Sequence, residues 1–159
     1  MNSLQPHRAT EMLATLGLIL PLAPKPVASY IPAVRTGNLL IISGQLPFRE
    51  GTLIATGLVP SRVSLEVAQE CARQCVLNGL AVAASHCGGT LDGISRVVRL
   101  GVFVACDGGF SDQPKVANGA SDFLQKIFGE AGRHARAAVG TNALPLDACV
   151  EVEMMLELL

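Results

Sequence analysis

The side chains best suited to chemistry concentrate in the closing stretch HARAAVGTNALPLDACVEVEMMLELL, from His134 to Leu159. Arg136 stands there among alanines and a valine. Its guanidinium is always charged, planar and shaped to grip a carboxylate through two parallel hydrogen bonds, which suits it to hold a small organic acid. An arginine on a strand can equally point to solvent or pair with a glutamate across an interface. Glu151 and Glu153 follow two apart in VEVEM, so on a strand they share one face while Val150, Val152 and Met154 take the other. If hairpin pairing sets Glu151 beside Arg136, the carboxylate can orient an attacking water while the arginine holds substrate. Glu153 and Glu157 read as ordinary strand-surface residues.

Other familiar chemistries find little footing. Cys71 and Cys75 lie four apart on one helical face, with His86 and Cys87 some turns later. There is no CxxC knuckle and no second short-spaced ligand pair, so no metal is expected. These thiols read as small buried hydrophobes. The 3 histidines are scattered, and neither an HxxxH pair nor a GxSxG nucleophile elbow occurs. SHCGGTLDG is glycine-rich but fits neither the phosphate-binding loop nor the dinucleotide fingerprint, and reads as a turn after a helix.

The 159 residues are half apolar, 16% charged and only 4% aromatic, with a net charge of −1. That composition suits one domain with a substantial core and offers no electrostatic footprint for nucleic acid. A surface poor in charge is often covered by sister subunits, so an oligomer is expected. An odd number of cysteines, without the density of a disulfide framework, points to a reducing compartment. The N-terminal stretch lacks the arrangement of a secretory leader. Its apolar run from Leu16 to Ala23, broken by Pro21, is too short to span a bilayer. A cytoplasmic protein with no membrane partner is the expectation.

The elements that must position Arg136 and Glu151 follow from periodicity. Leu4, Met12, Leu13 and Leu16 predict a short amphipathic helix over about Ser3 to Leu16, stopped by Gly17. PLAPKPVA is an extended connector. YIPAVRTGNLLIISGQLP predicts a hairpin around Thr36-Gly37-Asn38, with Gly and Asn taking the unusual φ values, and TLIATG extends the meander. Ser64 caps a helix running to about His86, with Val67, Cys71, Cys75 and Leu80 among its buried residues and Gly88-Gly89 ending it. ISRVVRLGVFVAC reads as a central strand closed by Asp107-Gly108-Gly109. A second main helix spans about Gln113 to Phe128, with Pro114 in its first turn. The last two strands run from about Ala135 to Gly140 and from Ala148 to Leu158. The fold class is α+β: one sheet with two main helices packed on one face, and an uncovered face that needs a partner.

Several of these residues carry a resemblance. SGQLP (Ser43 to Pro47), NGASDF in the second main helix, and ARAAV, LP and VEVE at the end resemble the YjgF/Rid family. Its members are reactive-intermediate deaminases, also catalogued as L-PSP endoribonucleases, and the similarity is greatest to the YjgF/chorismate mutase-like branch. It covers roughly Val27 to the C-terminus. The resemblance implies a YjgF-like domain over residues 27–159, preceded by an accessory helix and connector over residues 1–26. It also implies a mixed-sheet, chorismate-mutase-like fold in a homotrimer around a central barrel, with pockets at subunit interfaces.

In the family the terminal arginine holds the substrate carboxylate and the next strand's glutamate assists water, positions taken here by Arg136 and Glu151. Tyr30, Ser43 and Asn118 match the family's other pocket residues. Ala138 stands where deaminase members carry a cysteine, which excludes redox sensing through that thiol. The function so implied is hydrolysis of small enamine or imine acids, of the 2-aminoacrylate and 2-iminopropanoate type, to a keto acid and ammonia without a cofactor. Three alternatives remain open. One is a chorismate mutase-like isomerase, with Arg35, Arg96 and Arg99 as candidate cations. Another is a non-catalytic small-acid binder, and the last is an L-PSP-type endoribonuclease.

Overall fold

The alternating tail VEVEMMLEL forms a strand, β7 (Val150–Leu158), in which Val150, Val152, Met154, Leu156 and Leu158 are buried and the residues between them half-buried. Each fully buried aliphatic side chain in such a row contributes about 1.5–3 kcal/mol relative to staying in water. In the computed structural model, which describes residues 8–23 and 29–159, β7 is the middle strand of a five-stranded mixed sheet. On one side lie β2 (Leu39–Gln45) and then β1 (Ala33–Thr36); on the other lie β5 (Ile94–Ala105) and then β6 (Ala135–Thr141). All neighbours are antiparallel except β5 and β6, which run parallel.

Two long helices cover the buried side of this sheet. Ser64 caps α2 (Leu65–Ser85) by accepting a hydrogen bond from the Val67 backbone N–H at 3.2 Å, a contact worth about 1 kcal/mol in such helices. Helix α2 packs on β2 and β7, and α3 (Gln113–Phe128) packs on α2, β5 and β6. Small residues let these elements approach closely. Gly119 of α3 lies against the backbone of Gln69 in α2, and Gly79 of α2 lies against Met154 of β7. A short helix, α1 (Ala9–Thr15), buries Ala9 and Leu13 and contacts α3. It is tied down where the Thr10 hydroxyl accepts from the Leu91 N–H at 3.0 Å. The predicted start of this helix before residue 8 lies outside the described residues, as does most of the proline-rich connector. No helix among the described residues is long and apolar enough to cross a membrane.

Four sequence expectations are corrected. Val67 is 36% exposed, because the buried stripe of α2 runs through Ala68, Cys71, Ala72 and Cys75 and leaves Val67 at its margin. In the β1–β2 turn Gly37 alone takes a positive φ, and Asn38 does not. The segment TLIATG does not extend the meander. Its residues Thr52–Leu53 (β4) pair only with Phe48–Arg49 (β3), because a positive-φ turn at Glu50-Gly51 folds the run back and β7 already holds the free edge of β2. Finally, β6 and β7 are not a hairpin. The apolar β5 lies between them and pairs with both, as a strand buried on both sides requires.

Candidate functional site

Strand β6 is the sheet edge beside β5, and its register sets Arg136 level with Leu100, which is fully buried under the helices. Arg136 therefore leaves the sheet on the helix side and reaches α3. Its Nη1 donates to Asn118 Oδ1 at 2.9 Å and to Ser121 Oγ at 3.1 Å, and its Nη2 donates to the Pro114 carbonyl at 3.4 Å. Both Nη1 hydrogens are thus occupied. Nε and the second Nη2 hydrogen have no partner among the described residues, and they form the side-on fork that takes a carboxylate through two bonds. Asn118 acts on the arginine. Ala138 lies two residues along the same face of β6, level with Val102.

Ser121 is buried, and its hydroxyl also meets His134 Nε2 at 2.9 Å, while His134 Nδ1 lies 2.6 Å from the Gly132 carbonyl. Burial, reinforced by the Arg136 charge and opposed by the Gly132 carbonyl, pushes the imidazole below its ordinary range. Neither residue was among the sequence candidates. A signal existed for both: Ser121 is three residues beyond Asn118 on the same helix face, and His134 stands two residues before Arg136, just ahead of β6.

The second group of candidates gathers where β2 bulges against β7, between Ile42 and Gln45. A bulge re-aims the local backbone, and here it lifts Ser43 and Gly44 toward β1. The Ser43 N–H donates to the Pro32 carbonyl and its hydroxyl to the Ile31 carbonyl, both at 2.9 Å. Those bonds tie the bulge to the chain one residue past Tyr30, whose ring is 48% exposed. Buried Gln45 steadies it from below, donating from Nε2 to the Ser43 carbonyl at 2.9 Å. The Glu151 carboxylate occupies the space that a Cβ on Gly44 would fill. Burial first, and the neighbouring Glu153 second, raise Glu151 above the usual carboxylate range.

Glu151 pairs with Phe103, on the face of the sheet away from the helices, and β5 separates it from Arg136. The two therefore do not meet within one chain, which corrects the hairpin expectation. Arg136 with Asn118 forms one cluster; Glu151 with Ser43, Gly44 and the backbone next to Tyr30 forms another. The face bearing Glu151 is uncovered and carries an apolar row, Val34, Leu39, Ile41 and Val139, each 38–49% exposed, beside Glu153, Glu157 and Arg99. Glu153 lies across Gly101 to pair with Arg99 at 2.9 Å, so Arg99 is committed, and Arg35 donates to the Gly37 carbonyl. Burial pushes the Cys75 thiol well above its ordinary value, which makes it a core group and not a nucleophile.

Gly44→Ala is expected to leave the fold intact, because the new methyl meets the mobile end of a side chain and no backbone. The resemblance that casts Glu151 as the water-assisting carboxylate predicts that displacing it lowers turnover by about 10²-fold. Thermal melting and turnover, measured together, separate the two effects.

Residues 10–158 match the family described as "YjgF/chorismate mutase-like, putative endoribonuclease". The chain belongs to this family. Its resemblance to YjgF proteins, legible in the sequence motifs, is thereby borne out. It is 40% identical to Protein TCP17 of Trypanosoma cruzi over 99% of both chains. It is 31% identical to the 2-iminobutanoate/2-iminopropanoate deaminase of Dermatophagoides farinae, over 84% of this chain and 88% of that one. Among solved structures, the protein Atu1372 of Agrobacterium tumefaciens is 43% identical, with a TM-score of 0.88 over 94% of this chain and 92% of that one. The YjgF match begins inside α1 and so takes in the N-terminal helix.

Proposed function

We propose that this chain is a hydrolytic deaminase of small imine acids, working in a cleft that a second copy of itself completes. The observation that carries this reading is the division of the pocket residues into two clusters on opposite sides of one sheet, one with an unengaged carboxylate fork and one with a proton-active glutamate. An uncovered apolar sheet face bearing the second cluster supports self-association, since monomers rarely leave such a patch in water. The D. farinae relative named as an imine deaminase supports the reaction class.

In this reading Arg136 of one copy holds the substrate carboxylate with Nε and Nη2. Glu151 of the neighbouring copy, backed by Gly44, faces the imine carbon. The iminium carbon is already electrophilic, so the protein has only to position a water and move protons. Glu151 accepts a proton from water as the oxygen bonds to the carbon and the C=N electron pair moves to nitrogen. It returns the proton to that nitrogen, the C–N bond breaks with its electron pair going to ammonia, and the hydroxyl proton passes through Glu151 to solvent as the carbonyl forms. The products are a 2-keto acid and ammonia, and the sequence of steps calls for no cofactor. Tyr30 and Ser43 line the approach to the carbon.

The test is an assay in which a serine or threonine dehydratase releases the imine and its disappearance is followed with and without this protein. Acceleration well above the spontaneous rate is expected. An unchanged rate over a range of protein concentrations would remove the deaminase reading.

A further inference from the structure

We propose that His134, acting through the Ser121 hydroxyl, is a positioning residue that locks the Arg136 guanidinium in place, and that the lock opens when the imidazole gains a proton. The inference rests on the reading of Arg136 as the carboxylate-binding group.

A backbone carbonyl only accepts, so His134 Nδ1, 2.6 Å from the Gly132 carbonyl, carries a hydrogen. In a neutral imidazole the other nitrogen is then an acceptor. The Ser121 hydroxyl, 2.9 Å from Nε2, must supply the proton. With its hydrogen so directed, Ser121 offers its lone pairs to Arg136 Nη1 at 3.1 Å. The chain of bonds from the Gly132 carbonyl through His134 and Ser121 to Arg136 is satisfied at every atom, with one direction for every proton. It leaves the Nε and Nη2 fork aimed away from α3.

Protonation of the ring reverses one link. Nε2 becomes a donor, the Ser121 hydrogen loses its acceptor, and the serine oxygen must serve two cationic donors at once. The groups around the ring do little to compensate. On β6 it faces the Arg136 charge, on α3 the neutral Ser121, and next to η1 (Gly129–Gly132) a carbonyl. The cleft beside it holds Arg96 of β5, Glu157 of β7 and Arg133, whose guanidinium pairs with Glu130 of η1 at 3.5 Å. Arg136 is the one charge that bears on the ring, and the Ser121 oxygen that holds it is what an imidazolium competes for.

The sign follows. The ring takes up its proton only below the ordinary histidine value of about 6.5, so the lock is closed at neutral pH and opens as pH falls through the lowered native value. Carboxylate affinity should fall with it, seen as a roughly tenfold rise in the Kd of 2-oxobutanoate from neutral pH to below the His134 midpoint, a readout into which Glu151 protonation does not enter.

The decisive experiment is NMR of the full-length protein, following the Arg136 Nε–H signal, assigned by its loss in Arg136→Ala, and the His134 ring signal, assigned by its loss in His134→Gln. In the wild type both signals should titrate with one midpoint. In Ser121→Ala the Arg136 signal should no longer follow the histidine, and Ser121→Thr, which keeps the hydroxyl, should restore the link. An Arg136 signal indifferent to His134 in the wild type, or still linked to it in Ser121→Ala, would overturn the proposal. Binding of 2-oxobutanoate, measured in parallel, separates the two readings. A linked titration without binding at any pH removes the carboxylate role and leaves the relay standing; Arg136-dependent binding without the linkage removes the relay alone.

Discussion

Arg136→Ala is expected to lower kcat/KM for imine hydrolysis by about 10²–10³-fold, the consequence of losing roughly 3–4 kcal/mol of charge-assisted binding to the substrate carboxylate. The fold should be untouched, because Arg136 is exposed and its partners Asn118 and the Pro114 carbonyl sit where water can replace it. Arg136→Lys should recover only a small part of the activity. An ammonium can be held by Asn118 or can meet the substrate, but it has no planar fork to do both. The coupled assay reads the loss, and an equal melting temperature for variant and wild type shows that it belongs to the site. Retention of full activity in Arg136→Ala would mean that the substrate carboxylate is bound elsewhere.

Gly119→Ala should produce the largest loss of stability. A Cβ at this position would overlap the backbone of Gln69 in α2, and unlike the glutamate opposite Gly44 a helix backbone cannot swing aside. Overpacking of this kind costs roughly 3 kcal/mol at the upper end of its usual range, or about 6–12 °C in Tm for a chain of this length. The same α3 carries Asn118, Ser121 and the Pro114 carbonyl, the partners of Arg136. Separation of α2 from α3 should therefore disturb Arg136 as well. Differential scanning calorimetry measures the loss, and a Tm within a degree or two of wild type would show that the two helices are less tightly engaged than their backbones indicate.

Local signals in the sequence specified most of the elements. The alternation of VEVEMMLEL, the Ser64 cap and the apolar face of Gln113 to Phe128 each act over a few residues, and each element forms where its own pattern puts it. Partnership across the sheet is different, because nothing in the segment between Thr141 and Val150 records that β5 will slide between the strands on either side. The demand comes from β5 itself, which is apolar along nearly its whole length and must be flanked on both edges. For the same reason Arg136 and Glu151, expected as neighbours, lie on strands that β5 separates. The roles of Ser121 and Gly44 were hidden more deeply. One depends on a hydroxyl shared by His134 and Arg136, which lie further along the chain, the other on the absence of a side chain where Glu151 lies.

The central claim is that a working site takes Arg136 from one chain and Glu151 from another. Co-expression of Arg136→Ala with Glu151→Gln tests it directly, since each variant alone lacks one half of every site while a mixed oligomer can rebuild some. With equal amounts and random assembly, half of the chains offer an intact arginine and half an intact glutamate, so about a quarter of the sites carry both. The account predicts activity near one quarter of the wild-type value per chain from the mixture, against the near-zero activity of either variant alone. A mixture no more active than its parents, in oligomers verified to contain both variants, would contradict it.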